Sequence, residues 1–170
     1  MATPTLTTVG SFELAVGYPG QLALLPGGDP IIETRVNSGA TAIDFGAAVC
    51  RGTATTPGVI GAGIVAASGK IVIGFAVRAL SEANTTTSVG TVNYPQYSEF
   101  PVLKLGYLWV LATETVTEGD VVVAVVATPT SLGSATTGAA DGTTRLTSSA
   151  VWQTSATVGV VGLIRVQSNI

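Results

Sequence analysis

The sequence of 170 residues contains no histidine and only one cysteine, Cys50. The lack of histidine excludes Ser-His triads, histidine acid–base catalysis and histidine-ligated metals. A single cysteine cannot form an intrachain disulfide or a thiolate metal cluster. The sequence therefore predicts no metal site and no cofactor, and we assign no catalytic, cofactor-binding or metal-ligating residues. We expect a protein that is not an enzyme.

Charged residues are also scarce, at 10% of the chain, where a typical soluble domain carries about 25%. Seven lysines and arginines stand against ten acidic residues, and the basic residues are scattered singly, which argues against direct binding of nucleic acid. The longest uninterrupted apolar run, 121–127, is far shorter than the roughly 20 residues of a membrane-spanning helix. The N-terminus lacks the basic and apolar regions of a secretory signal. We therefore expect neither a nucleic-acid partner nor a membrane partner.

A helical period of 3.6 residues is missing throughout, whereas β-branched runs alternate with glycine- and proline-rich turns. This pattern predicts an all-β fold, a compact β-barrel or sandwich of short antiparallel strands. We expect an extended N-terminal arm over 1–11 and a single β-rich domain over 12–170, with a flexible loop near 128–145. Predicted strands lie at 12–16, 31–36, 59–66, 71–78, 107–112, 121–127 and 158–166. Residues 43–50 are predicted as a turn that leads into another strand, and residues 146–152 are ambiguous.

One glycine pattern and one possible residue pair can be compared with known motifs. Residues 61–66 fit the letters of a dinucleotide-binding GxGxxA motif, but that motif needs a strand before it and a helix after it. Here a turn and a β-branched strand follow, which favours coincidence in a glycine-rich chain. A Ser-Lys pair would have to use Lys70 or Lys104, and neither lies in a recognisable motif.

Glu114, Glu118 and Asp120 are close enough in sequence to suggest a carboxylate pair for glycoside chemistry. Glu118, Gly119 and Asp120 are also good turn residues, and we favour a turn with solvated acids. Cys50 has Arg51 beside it, which can lower a thiol pKa. Because no histidine is available as a base, we expect Cys50 to act as a small buried hydrophobe.

An aromatic cluster spans the middle of the chain and consists of Tyr94, Tyr97, Phe100, Tyr107 and Trp109. It has two interpretations, a binding platform or a barrel core with a packed turn, and we favour the core. Aromatics on the loop side would then anchor a subunit interface. The low charge supports lasting assembly, since burying threonine or alanine costs less than burying a charge.

An ordered set of residues resembles the head-decoration, or structural cement, proteins of tailed bacteriophages. The set comprises Ile43, Phe45, Gly46 and Val49; residues 74–78 (GFAVR); Tyr94 and Tyr97; Val102 and Leu103; Gly106, Trp109 and Val110; and Val116, Gly119, Asp120 and Val122. The resemblance covers roughly 30–127 and, more loosely, 158–166. Lipoyl-type carriers share the Gly-Asp-x-Val turn, but Lys70 lacks the flanking residues of their modified lysine.

This resemblance implies a β-barrel-like subunit on the outer surface of the virion capsid, assembled in the bacterial host cytoplasm. The implied partners are the major capsid protein and further copies of the chain, as a trimer or a dimer. The implied function is to stabilise contacts between major capsid subunits. The arm over 1–11 would reach a neighbour or lie on the capsid by strand addition.

A second hypothesis is a carbohydrate-binding or adhesin-like β module of a phage tail or fibre. Its platform would consist of Tyr94, Tyr97 and Trp109. A glycan screen combined with tryptophan fluorescence separates the two hypotheses, since a response to sugar without affinity for capsids would favour the second.

Overall fold

The computed structural model describes residues 17–23, 29–52, 61–79, 93–126, 135–137 and 145–167. Within these ranges the chain forms strands and turns and no helix, which confirms the all-β prediction. The strands are β1 (Ile31–Asn37), β2 (Ile43–Asp44), β3 (Ala48–Arg51), β4 (Ala62–Val65), β5 (Val72–Ala76), β6 (Asn93–Tyr94), β7 (Glu99–Leu111), β8 (Val121–Val125), β9 (Ala135–Thr136), β10 (Arg145–Trp152) and β11 (Val161–Val166).

The predicted arm over 1–11 lies outside the described residues. So does most of the predicted loop near 128–145, although β9 lies within that segment and β10 begins at its end. Residues 158–160, predicted as the start of the last strand, instead form a turn that leads into β11. The ambiguous segment 146–152 belongs to β10.

The main sheet has the strand order β1-β4-β3-β5-β7-β11-β10-β8-β9. Its first half, from β1 to β7 in this order, closes into a five-stranded barrel, because β1 also pairs with β7. One pairing departs from the antiparallel prediction, since β1 runs parallel to β4. Parallel neighbours need a long connection, and here β2 and β3 lie between them in the chain. We call this unit the first barrel.

The second half continues from the same β7 in the order β7-β11-β10-β8-β9. A parallel bridge between Ala112 and Ala135, with a 3.1 Å hydrogen bond from the Thr113 amide to the Ala135 carbonyl, brings β9 back to the end of β7. This second ring, called the second barrel below, therefore shares one strand with the first.

The shared strand β7 is thirteen residues long and serves both barrels. Residues up to Leu105 pair with β1, and residues from Gly106 onwards pair with β11. Gly106 has a φ of 126°, which a residue with a side chain rarely adopts. The sequence predicted a strand only from 107 because glycine interrupts the apolar pattern; in the structure, that glycine lies at the change of partner within one strand.

Two apolar cores follow from this sharing. The interior of the first barrel contains Ile43, Ala47, Val49, Val65, Ala76, Tyr94, Phe100 and Val102. The larger core combines residues of β3, β5 and the first part of β7 with those of the second barrel, including Cys50, Phe75, Leu103, Leu108, Val110, Trp152 and Ile164. Alternate residues of β3 and β5 therefore face different cores, and both strands are apolar on both faces.

Each barrel contains a pair of turns that hydrogen-bond to each other, called the interlocked turns below. In the second barrel, Val116 and Ala156 exchange backbone hydrogen bonds of 2.8 and 3.1 Å. The amide of Gly119 donates to the Trp152 carbonyl, and the amide of Gly159 donates to the Ala112 carbonyl, each at 2.9 Å. Adding 40 to each residue number of the first turn gives the second, so the two turns are related by a local pseudo-two-fold.

The first barrel repeats this arrangement with other residues. Ile43 pairs with Tyr94, the Gly46 amide donates to the Ala76 carbonyl, and the Tyr97 amide donates to the Asn37 carbonyl. The positions of Gly46, Gly119 and Gly159 have φ values of 80°, 92° and 78°, and the fourth position, Tyr97, has 67°. One turn motif therefore occurs four times, three times with glycine and once with tyrosine.

A glycine in β5 permits the close approach of β7. A Cβ at Gly74 would lie well inside contact distance of the Leu103 carbonyl oxygen and 2.7 Å from a Val102 methyl. We expect Gly74→Ala to lower the free energy of unfolding by about 1–3 kcal/mol, because backbone must move to admit the methyl. Chemical denaturation measures this loss. The control is Gly69→Ala, at a site with open space and a φ of 70°, where only backbone strain of about 1 kcal/mol applies. Equal stability of wild type and Gly74→Ala would contradict the described packing.

Strand β1 contains a buried arginine, Arg35. Arg35 is 7% exposed and forms an ion pair with Glu33, which also lies 3.4 Å from Lys104 Nζ. Gly61 leaves room for the guanidinium, since a Cβ there would overlap it. Burial acts to raise the pKa of Glu33, but the hydrogen bond and charge of Arg35, aided by Lys104, bring that pKa below its usual 4.5.

A depressed carboxyl pKa adds stability above pH 4.5, and that stability is lost as pH falls through the folded-state pKa. We expect Glu33→Gln to lower the free energy of unfolding at neutral pH by about 1 kcal/mol, because it removes the charged partner of Arg35. The loss is smaller than for a fully buried ion pair, because the Glu33 side chain is partly exposed. The difference in stability between the variant and wild type should become smaller as the pH is lowered. Thermal unfolding of both proteins at neutral and acidic pH measures this difference. The control Glu99→Gln changes an exposed carboxylate of β7 without an ion pair in the described ranges. A constant difference at all pH values would refute this role of Glu33.

Candidate functional site

Two of the three carboxylates considered for catalysis lie in one turn. Glu118 and Asp120 flank the turn at Gly119, as the turn interpretation predicted. Asp120 Oδ2 accepts a 2.8 Å hydrogen bond from the Thr117 amide, and Ser155 Oγ accepts one of 3.1 Å from the Glu118 amide. These contacts hold the turn between β7 and β8, and the Asp120 carboxylate takes part in them directly.

Cys50 is fully buried in β3, which confirms its expected role as a small hydrophobe. Burial raises the pKa of its thiol, and a backbone hydrogen bond at Ala67 and the charge of Lys70 offset this only in part. The neutral thiol is a poor nucleophile.

The GxGxxA segment at 61–66 is strand β4 with its flanking residues, and a turn at Ser68 and Gly69 follows it in place of a helix. Its glycines serve packing. Gly61 admits Arg35, and Gly63 lies against the Phe100 ring, since a Cβ there would be 2.8 Å from the ring edge. The coincidental interpretation of this motif is therefore confirmed.

The aromatic cluster is mostly core, as we favoured. Tyr94 is fully buried, and its hydroxyl donates a 2.6 Å hydrogen bond to the Val77 carbonyl and accepts one of 2.9 Å from the Ala79 amide. Its ring centroid lies 5.1 Å from that of Phe45 and 5.4 Å from that of Phe100. Trp109 is also buried, at 6% exposure. Two of the three rings of the proposed sugar platform are thus inaccessible, which disfavours the carbohydrate-binding hypothesis.

Tyr97 is the exception, with 77% of its surface exposed. It occupies the turn position where the other three copies of the motif have glycine, and it adopts the same left-handed backbone. A bulky side chain pays strain in that region, and such strain concentrates at functional sites. Tyr97 is therefore a candidate contact residue.

A second surface feature is a basic cleft where the two barrels meet. It has a volume of about 450 Å³ and is lined by Arg51, Gly52, Gly69, Lys70, Ile71, Val72, Ile73, Lys104 and Ser149. The residues come from β3, from β5 and the turn before it, from β7 and from β10. Three cations that are scattered in the sequence thus meet at one place, which no motif in the sequence signalled.

Neither a metal-binding group of side chains nor a membrane-spanning helix is found in the part of the chain that the structure describes. No group of three or more acidic or cysteine side chains there could hold a metal ion. None of its secondary-structure elements is a helix long and apolar enough to cross a membrane.

Comparison with known proteins identifies a family for this chain. The family model described as "Structural cement protein (E217 gp24/Pam3 gp6)" matches residues 6–169. A chain from the solved structure "The capsid of Myoviridae Phage XM1" has a similar fold, with a TM-score of 0.67 and 15% sequence identity. The match covers 98% of this chain and 100% of that one. No curated protein matches the sequence.

The family match spans nearly the whole chain, from the predicted arm to the last strand. The family resemblance given by residues 30–127 is thereby confirmed. The chain belongs to the structural cement protein family of phages, and its role is decoration of the virion capsid.

Proposed function

We propose that this chain binds the outer surface of the phage head, over the junctions between neighbouring major capsid subunits, and acts there as a homo-oligomer, either a trimer or a dimer. The observation that carries the proposal is the family match over residues 6–169. The role needs no chemistry, and we propose that the chain is not an enzyme.

The surface of the chain suits such assembly. Large aliphatic side chains are exposed on several turns and strand ends, among them Ile31, Ile32, Ile71, Val158 and Val160. Burying apolar surface contributes roughly 25 cal/mol per Å², and few charges need to be desolvated in the process. An interface of about 1,600 Å² in total would be of ordinary size.

Stabilisation of the head follows from mass action. If the chain binds neighbouring subunits only in the assembled shell, each bound copy stabilises that shell by RT ln(1 + [L]/Kd). An oligomer adds avidity, because its second and third contacts are intramolecular once the first has formed.

Head binding is the direct test of this function. Purified chain mixed with undecorated heads of a matching phage should co-sediment with them, saturate at a fixed copy number per head, and raise the temperature at which the heads release DNA. Heads of an unrelated phage provide the control. Absence of co-sedimentation with matching heads would contradict the proposed function.

Tyr97 is proposed as one of the contact residues. Because three equivalent turns carry glycine, Tyr97→Gly should fold normally, with stability changed by less than about 1 kcal/mol. Exposed tyrosines are frequent anchors of interfaces, so we expect head binding to weaken at least about tenfold. Binding isotherms on heads measure the loss. Gln96→Ala, an exposed change in the same turn, is the matched control, and unaltered affinity of Tyr97→Gly would remove Tyr97 from the interface.

A further inference from the structure

The basic cleft concentrates positive charge in an acidic chain. The chain has a net charge of −3, yet three of its seven lysines and arginines, Arg51, Lys70 and Lys104, line this one cleft. Of the other cations in the described residues, Arg35 is buried against Glu33, and Arg78 stacks over the rings of Tyr18 and Phe45 at 5.4 and 5.6 Å.

Two of the three cleft cations form no ion pair with another described residue. Within the described ranges the ion pairs all involve Glu33, which reaches Lys104 but neither Arg51 nor Lys70. Arg51 and Lys70 are both exposed, at the end of β3 and in the turn before β5. Like charges held close together repel, and an anionic group placed between them relieves that repulsion. The chemistry of the cleft therefore selects a carboxylate or another anion.

The side chains that line the cleft indicate which kind of anionic partner it binds. Ile71 is 77% exposed, and Val72 and Ile73 continue the wall beside it. An exposed isoleucine next to two cations suits a polypeptide that carries acidic side chains beside apolar ones. A nucleic acid would instead need an extended basic track along its phosphates. The cleft is a local pocket at the junction of the two barrels.

We propose that the cleft lined by Arg51, Lys70 and Lys104 docks an acidic segment of the major capsid subunit, with Ile71 covering its apolar side chains. This inference rests on the proposed function and names the chemistry of one of its contacts. Lys104 lines the cleft and also pairs with Glu33, and Ser149 of β10 lines the cleft from the second barrel. A segment docked there would contact both barrels at once.

The test compares head binding of wild type with the double variant Arg51→Glu, Lys70→Glu. Both side chains are exposed, so the variant should keep the wild-type circular dichroism and unfolding temperature. Arg165→Glu, which reverses one exposed cation of β11 outside the cleft, is the matched control. We expect the double variant to bind undecorated heads at least about tenfold more weakly at low salt, with the gap closing as salt screens the contact. The control should lose much less. If the double variant does not fold, Arg51→Gln, Lys70→Gln replaces it, with a smaller loss expected in the same direction.

The outcomes separate this inference from the proposed function. Normal head binding by wild type with unchanged binding by the double variant overturns the cleft alone. Failure of wild type to bind heads overturns the proposed function and, with it, the inference. Sedimentation velocity checks for self-association, and a cleft variant that breaks an oligomer while the remaining monomer binds heads normally would assign the cleft to a second copy. Duplex DNA binding that depends on the cleft, with head binding unaffected, would also contradict the proposal.

Discussion

The strand β7 is the constraint on which the rest of the structure depends. Its first part closes the first barrel against β1, and its second part opens the second barrel along β11. The residues that face the larger core, such as Leu103 and Leu108, pack against side chains of both barrels. Because the two barrels share a strand and a core, neither can move without disturbing the other. The described residues of both barrels therefore form one connected body, as the proposed binding across capsid subunits requires.

The interlocked turns add backbone hydrogen bonds to this connection. In each barrel two turns exchange a bridge and then each turn binds the strand end that precedes the other. Because these hydrogen bonds join backbone atoms, they do not depend on the side chains, and the residue types at the tips of the turns can differ. They carry Glu118 in one copy, Val158 in another and Tyr97 in a third. The same frame thus presents acidic, aliphatic and aromatic groups to solvent, and contact residues can be placed on it at little cost to folding.

The fold class followed from the sequence because β-branched runs and turn residues act locally. The strand at 31–36, the turn at Gly119 and the burial of Cys50 are examples. The parts that escaped prediction depend on distant pairing. Gly106 marks a change of partner within β7, the 40-residue repeat retains few identical residues beyond Thr117 with Thr157 and Gly119 with Gly159, and the cleft joins Arg51, Lys70 and Lys104 from separate strands. The family could be recognised from an ordered set of such residues, whereas the binding surface required the three-dimensional arrangement.

Cryo-electron microscopy of heads decorated with this chain tests the account most directly. We expect density for the two-barrel body on the outer surface of the shell, spanning the junction of adjacent major capsid subunits, with the Arg51–Lys70 side of the cleft against acidic residues of the shell. Density confined to the interior of the head, or standing on a single capsid subunit with the cleft facing solvent, would contradict it.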